Sequence, residues 1–141
     1  ALAFGFILSS CEKAAVEKEK DVKEKEMEVI PVPAENVLSE GTFTGASGHT
    51  TTGKVQVVKM DNGTRSIVFT DFKTDSGPDL KIYIAEDKNA KNFFQFESKV
   101  ENGNKTLILP SSVDLDKQKF VLIWCKAFSV SFGYAEMKTP S

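Results

Sequence analysis

The chain has 141 residues, 40% hydrophobic and 27% charged, with a formal charge of −2. This length and apolar content suit one domain with one core, and the near-zero charge leaves no basic surface for nucleic acid. Two cysteines, Cys11 and Cys125, are too few for the disulfide framework of a small secreted scaffold.

The first stretch, Ala1–Ser10 (ALAFGFILSS), is an apolar run that ends in small residues and is too short to span a bilayer. It reads as the remnant of a signal peptide. Leu8-Ser9-Ser10-Cys11 resembles the bacterial lipobox, in which the signal is cut before the cysteine and the thiol then carries lipid. Residues 1–11 are therefore expected to be an address, with Cys11 lipidated and the protein tethered to the lipid membrane of a bacterial cell envelope. Glu12, in place of the Asp that resembles an inner-membrane retention signal, leans the expectation toward the outer membrane. Residues 12–36 follow as a charged, disordered stalk. Twelve of the seventeen side chains from Glu12 to Glu28 are charged, and so few apolar groups do not offset ordering entropy. Ile30-Pro31-Val32-Pro33 stiffens the way into the domain.

From residue 37 to 141 short apolar runs alternate with turn signals, and no helical period appears. Gly41–Thr44 reads as a short strand and Gly45–Gly48 as a small-residue loop leading to His49. Lys54–Met60 alternates, with Val55 and Val57 on one face. Asp61-Asn62-Gly63 predicts a type I′ hairpin with positive φ at both central residues. Arg65–Phe72 returns, with Ile67 and Phe69 opposite Val68 and Phe72. Ser76–Asp79 breaks the chain before Leu80–Ala85, which puts Leu80, Ile82 and Ile84 on one face. Glu86–Asn92 reads as a loop or single helical turn, Phe93–Val100 as a weak strand, and Glu101–Asn104 as a second hairpin turn into Thr106–Leu109. After a connector at Val113–Asp116, Phe120–Phe128 is apolar on both faces apart from Lys126. Phe120, Leu122 and Trp124 alternate with Val121, Ile123, Cys125 and Ala127. A last strand spans Val130–Met137. About eight strands at this spacing predict an all-β antiparallel sandwich or barrel.

Four motifs in order carry a family likeness. His49-Thr-Thr-Thr-Gly53 precedes a strand and Asp71-Phe72 closes the next. Gly77-Pro78-Asp79-Leu80 opens a strand bearing Tyr83, and Trp124-Cys125-Lys-Ala-Phe128 leads to Phe132-Gly133-Tyr-Ala135. Together they resemble the DM-thirteen domain, the electron-transfer domain of Skeletor-type cell-surface proteins and bacterial lipoproteins, over about Glu40–Met137. The resemblance implies an all-β fold and a redox role at the matching cysteine, Cys125. It also implies a protein redox partner, because the animal relatives carry redox-cofactor domains that this chain lacks.

Residue chemistry narrows the roles. Once Cys11 is lipidated, Cys125 is the one free thiol, and it reads either as a redox group or as a small buried packing residue. His49, the sole histidine, reads as a modulator of that thiol or as a loop residue bonded to backbone. Gly77-Pro78-Asp79 reads first as turn chemistry. One His and one free Cys do not make a blue-copper site, and structural zinc lacks ligands. Haem ligation by Cys125, His49, Met60 or Met137 has no motif behind it, so no cofactor is specified. Asp71, Asp75 and Asp79 do not have the spacing of an EF-hand, and no Ser-His-Asp set assembles. The expected function is electron transfer, by thiol or cofactor, in an envelope lipoprotein. The alternative is a non-catalytic ligand- or protein-binding module in which the cysteine is structural.

Overall fold

A strand that is apolar on both faces has to lie inside a sheet with a layer on each side. The computed structural model describes residues 36–140, and the leader, Cys11 and the stalk up to residue 35 lie outside the described residues. Nine strands run through them in order: β1 (Val37–Thr42), β2 (Thr44–Gly45), β3 (Thr51–Lys59), β4 (Arg65–Thr74), β5 (Leu80–Ala85), β6 (Phe94–Gln95), β7 (Gly103–Leu109), β8 (Phe120–Cys125) and β9 (Val130–Glu136). They form a β-sandwich of two antiparallel sheets, ordered β1-β3-β4-β7 and β2-β9-β8-β5-β6. The doubly apolar β8 is the middle strand of the second sheet, as its pattern requires.

The core lies between the sheets. Val55, Val57, Ile67 and Phe69 of the first sheet meet Ile82, Ile84, Val121, Ile123 and Cys125 of the second, and none is more than 3% exposed. Each such side chain contributes roughly 1.5–3 kcal/mol by leaving water. The outer face of β8 has its own cover, where Leu122 is fully buried among Tyr83, Ala85, Phe120, Trp124 and Tyr134. The chain changes sheets at Phe43, which is buried and donates its N–H to the Gly53 carbonyl at 2.9 Å. Paired bonds between Glu40 and Lys138, both 2.9 Å, tie β1 to the end of the last strand.

The structure departs from the sequence pattern at five places. Phe72 does not point away from Phe69. The β4–β7 register shifts between Phe69 and Phe72, and Asp71 takes φ of 50°. This bulge turns Phe72 inward, where its ring meets Phe69 at 5.7 Å and Phe43 at 5.1 Å, both edge-on. Gly53 lies against the same bulge with φ of 116°, and a Cβ there would sit 2.7 Å from the Phe72 Cα. The Asp61–Gly63 hairpin is not type I′: among its residues only Gly63 has positive φ, 89°. The Gly63 N–H bonds the Met60 carbonyl at 2.9 Å, while Asn62 Oδ1 accepts from Thr64 N–H at 3.0 Å. A type I turn followed by one left-handed residue results.

Glu101–Asn104 is not a hairpin turn either, because β6 and β7 belong to different sheets and this segment crosses between them. Phe93–Val100 shrinks to the two residues of β6. The central strand stops at Cys125. Lys126–Ser129 form the turn to β9, with Ser129 at φ of 56°, leaving Ala127 exposed and Phe128 at 67% exposure.

Candidate functional site

Cys125 ends β8 on the core side, level with Leu80 of β5 and Val130 of β9. Its Sγ is wholly buried and donates to the Pro78 carbonyl at 3.1 Å. The next residue along each chain reinforces the contact, as the Lys126 N–H donates to the Asp79 carbonyl at 3.0 Å. Asp79 reaches this position with φ of 56°, in the left-handed region where Asp is among the better-tolerated residues. Its carboxylate pairs with Lys81 at 3.2 Å. Gly77-Pro78-Asp79 is therefore more than a break between strands: its backbone closes over the thiol.

The same turn rests on Phe132. A Cβ on Gly77 would lie 2.7 Å from the Phe132 ring, so only glycine lets the backbone come so close. On Phe132 stacks the His49 imidazole, with centroids 3.6 Å apart and planes within 10°. His49 Nδ1 lies 3.4 Å from Asp75 Oδ2, which also accepts from Thr50 N–H at 3.0 Å. Beneath them Thr51, 2% exposed, donates to the Phe132 carbonyl at 2.9 Å and shares a hydrogen bond with Thr74 at 2.8 Å. Gly133 leaves room for Thr51, because a Cβ there would overlap the threonine side chain.

One end of the sandwich thus gathers His49, Gly77, Pro78, Asp79, Cys125, Phe132 and Gly133. No hydrogen bond or ion pair joins His49 and Cys125. The histidine engages Asp75 and the thiol engages Pro78. A cleft of about 360 Å³ opens beside this end, between Thr74–Gly77 and Glu97–Val100, with Leu80 and Lys81 in its wall. Its side chains carry both charges. A larger groove of about 550 Å³, walled by Glu40, Lys54, Tyr134, Glu136 and Lys138 among others, has none of the residues gathered around the thiol.

The remaining motif residues serve elsewhere. Gly53 and Phe72 build the bulge, and Phe128 stands at the exposed tip of the β8–β9 turn. Tyr83 and Trp124 belong to the outer layer, stacked at 5.9 Å with planes within 19°. Burial, and then the nearby Asp79, push the Tyr83 phenol above its ordinary value, with Lys81 partly opposing them. Among the described residues no three His, Cys, Asp or Glu side chains converge to hold a metal ion. Met60 is half-exposed in the β3–β4 turn, and Met137 is buried close to Gly41.

The partnership of His49 with Asp75 is absent from the sequence reading. It follows from the β3–β4 register, which pairs Thr51 with Thr74 and so brings residues 50 and 75 together. Counting back from the Asn62-Gly63 turn leads close to this pair, but the register slips by one residue between Thr52 and Lys54.

Residues 42–137 match the model of the family described as electron transfer DM13. No curated protein and no solved structure matches the chain.

Proposed function

Because the chain belongs to the electron transfer DM13 family, we propose that its β-sandwich is an electron-transfer domain whose redox group is the Cys125 thiol. The domain is carried on an envelope lipoprotein anchored in the membrane through a lipid on Cys11. The observation that carries the redox role is the convergence of three family motifs on one sulfur: the Gly77-Pro78-Asp79 turn covers it, and His49 and Phe132-Gly133 support that turn.

Cys125 is the free cysteine of the described residues, so two-electron exchange passes through a disulfide with another protein. The deprotonated sulfur attacks one sulfur of a partner's disulfide. A new S–S bond forms as the old one breaks, and the partner's second sulfur leaves as a thiolate. A thiolate of a dithiol donor protein then attacks the Cys125 sulfur, and the partner's sulfur leaves as its second thiolate. The donor's other thiolate resolves the new mixed disulfide, so the donor ends as a disulfide, the partner as a dithiol and Cys125 as thiolate. Attack needs access, and the sulfur gains it when the Gly77–Asp79 segment lifts from Pro78 onward. His49 has a positioning role: it holds Phe132 and Asp75 in the place where Gly77 packs.

The test uses the purified protein and a small aromatic disulfide under native conditions, read by mass. The redox reading expects one adduct at Cys125 and none in Cys125→Ser. No adduct below the unfolding transition, together with no visible absorption band from a bound cofactor, contradicts it.

A second reading rests on the zero exposure of Cys125 and its bond to Pro78. Here the domain is a binding module and the thiol is packing. Cys125→Ala then changes stability and leaves partner binding intact.

A further inference from the structure

On the outer face of the second sheet, opposite the core that holds Cys125, three rings are stacked in a row. Trp124 and Tyr83 lie 5.9 Å apart with planes within 19°, and Tyr83 and Phe93 lie 4.1 Å apart within 13°. The row runs from the half-buried indole through a phenol that is 2% exposed to a Phe93 ring that is 46% exposed. The β5–β8 register offsets Trp124 and Tyr83 by one cross-strand step, since Tyr83 faces Leu122 and Lys81 faces Trp124. Diagonal neighbours of this kind are within reach of aromatic side chains. Phe93, from the loop before β6, closes over the phenol from outside.

We propose that Trp124 and Tyr83 form a one-electron relay on this face, Trp124 taking the oxidising equivalent and Tyr83 receiving it from the indole. The relay rests on the electron-transfer reading of the domain and does not require Cys125. Indole and phenol are, with thiols, the side chains that give up a single electron most readily, and stacked rings supply the contact through which it moves. Phe93 cannot itself be oxidised in this range. Its work is to cover the face of the phenol ring, which leaves the hydroxyl free to exchange its proton with water.

The step balances as follows. A free-radical oxidant takes one electron from Trp124 and becomes its anion, and the indole radical cation releases its N–H proton to water. Tyr83 then gives an electron to the neutral indolyl radical. The phenol loses its proton to solvent and the indole nitrogen regains one, which leaves a neutral phenoxyl radical. A thiolate donor restores the phenol by giving up one electron, becoming a thiyl radical, as a proton returns. A phenol is protonated at neutral pH at its ordinary value, and burial and then Asp79 raise Tyr83 further, so its proton leaves with its electron.

The chain contains one Trp and two Tyr, which makes the relay separable by spectroscopy. The second tyrosine, Tyr134, packs at 6.3 Å against Phe120 and lies under the Lys88 ammonium at 5.0 Å. Azide radicals generated by pulse radiolysis oxidise the indole selectively. In the full chain the indolyl band is expected to decay as the tyrosyl band rises, at a rate independent of protein concentration. Tyr83→Phe, which removes one oxygen and keeps the ring, loses this phase. Tyr134→Phe and Cys125→Ala retain it. Persistence of the phase in Tyr83→Phe, or its loss in Tyr134→Phe, overturns the relay. Because the readout holds in Cys125→Ala, a failed relay and a failed thiol reading give different results.

Discussion

The two faces of β8 are both covered, but to different depths and by different chemistry. Inward, Val121 and Ile123 lead to Cys125 and meet the aliphatic side chains of the opposite sheet. Outward, Phe120, Leu122 and Trp124 are covered by rings and by the loop before β6. The inner face is closed by a second sheet that is hydrogen-bonded along its length, and the outer one by a few side chains on one layer. Burial is therefore complete inward and partial outward, and the means of relieving it differ as well. Inward, only the Gly77–Asp79 turn stands between the sulfur and the end of the sandwich. Outward, the half-buried Trp124 is open to reactants while Phe93 covers Tyr83.

The sharpest way to break this comparison is to cut a hole in each face. Ile123 and Leu122 are adjacent and both fully buried. Truncation to Ala is expected to cost about 2–5 kcal/mol at either position, with Ile123→Ala the larger, because the sheet-on-sheet core has less freedom to collapse. Urea unfolding of both variants gives the ranking, and equal losses would remove the distinction between the faces.

Next in size is Gly133→Ala. Its methyl would press on Thr51 and on the Thr44 carbonyl, disturbing the Thr51 bond to Phe132, and should cost about 1–3 kcal/mol. An unchanged urea midpoint would mean that the His49 end tolerates repacking. At Cys125 the serine and alanine variants separate packing from hydrogen bonding. Cys125→Ser retains a donor for the Pro78 carbonyl, whereas Cys125→Ala leaves that carbonyl unpaired and is expected to lose about 1–2 kcal/mol. Alanine proving the more stable of the two would show that the bond to Pro78 contributes little.

The smallest effect belongs to the outer face and appears only in alkali. The Tyr83 phenol is raised above its ordinary 10.0 in the folded protein. Above pH 10 the unfolded chain therefore holds fewer protons than the folded one, so stability falls as pH rises. The contribution is complete below pH 10 and is lost as pH passes through the folded value. Tyr83→Phe should flatten the alkaline slope of the urea midpoint relative to the parent chain. An identical slope would remove the phenol's burial from the account.

Alternation made much of this legible. The two faces of Phe120–Cys125, the inward Val55 and Val57, and the runs Leu80–Ala85 and Val130–Glu136 can all be read from period-two patterning, because a strand between two layers must sort its side chains strictly. Patterning fails where the backbone departs from the pleat. The Asp71 bulge reverses Phe72, and no composition signal at Thr70-Asp71 announces it. Lys126–Ser129 is a turn with an apolar tip, so Phe128 extends the apparent strand. Gly103 looks like a hairpin residue, although strand order alone decides which sheet comes next. At the site, the inward placement of Cys125 is visible in the sequence. Its cover by Pro78 and the tie between His49 and Asp75 depend on loops brought together by register, and single-strand periodicity carries no register across a bulge.

The central claim is that the buried Cys125 sulfur is reached by local opening of the Gly77–Asp79 turn, while the sandwich stays folded. Labelling of the native protein by a small thiol reagent, followed across low concentrations of urea, tests it directly. Local opening exposes little surface, so the account predicts a labelling rate that is nearly flat in urea until global unfolding begins. A rate that climbs from the lowest concentrations with the full slope of global unfolding would contradict it and leave the thiol as packing.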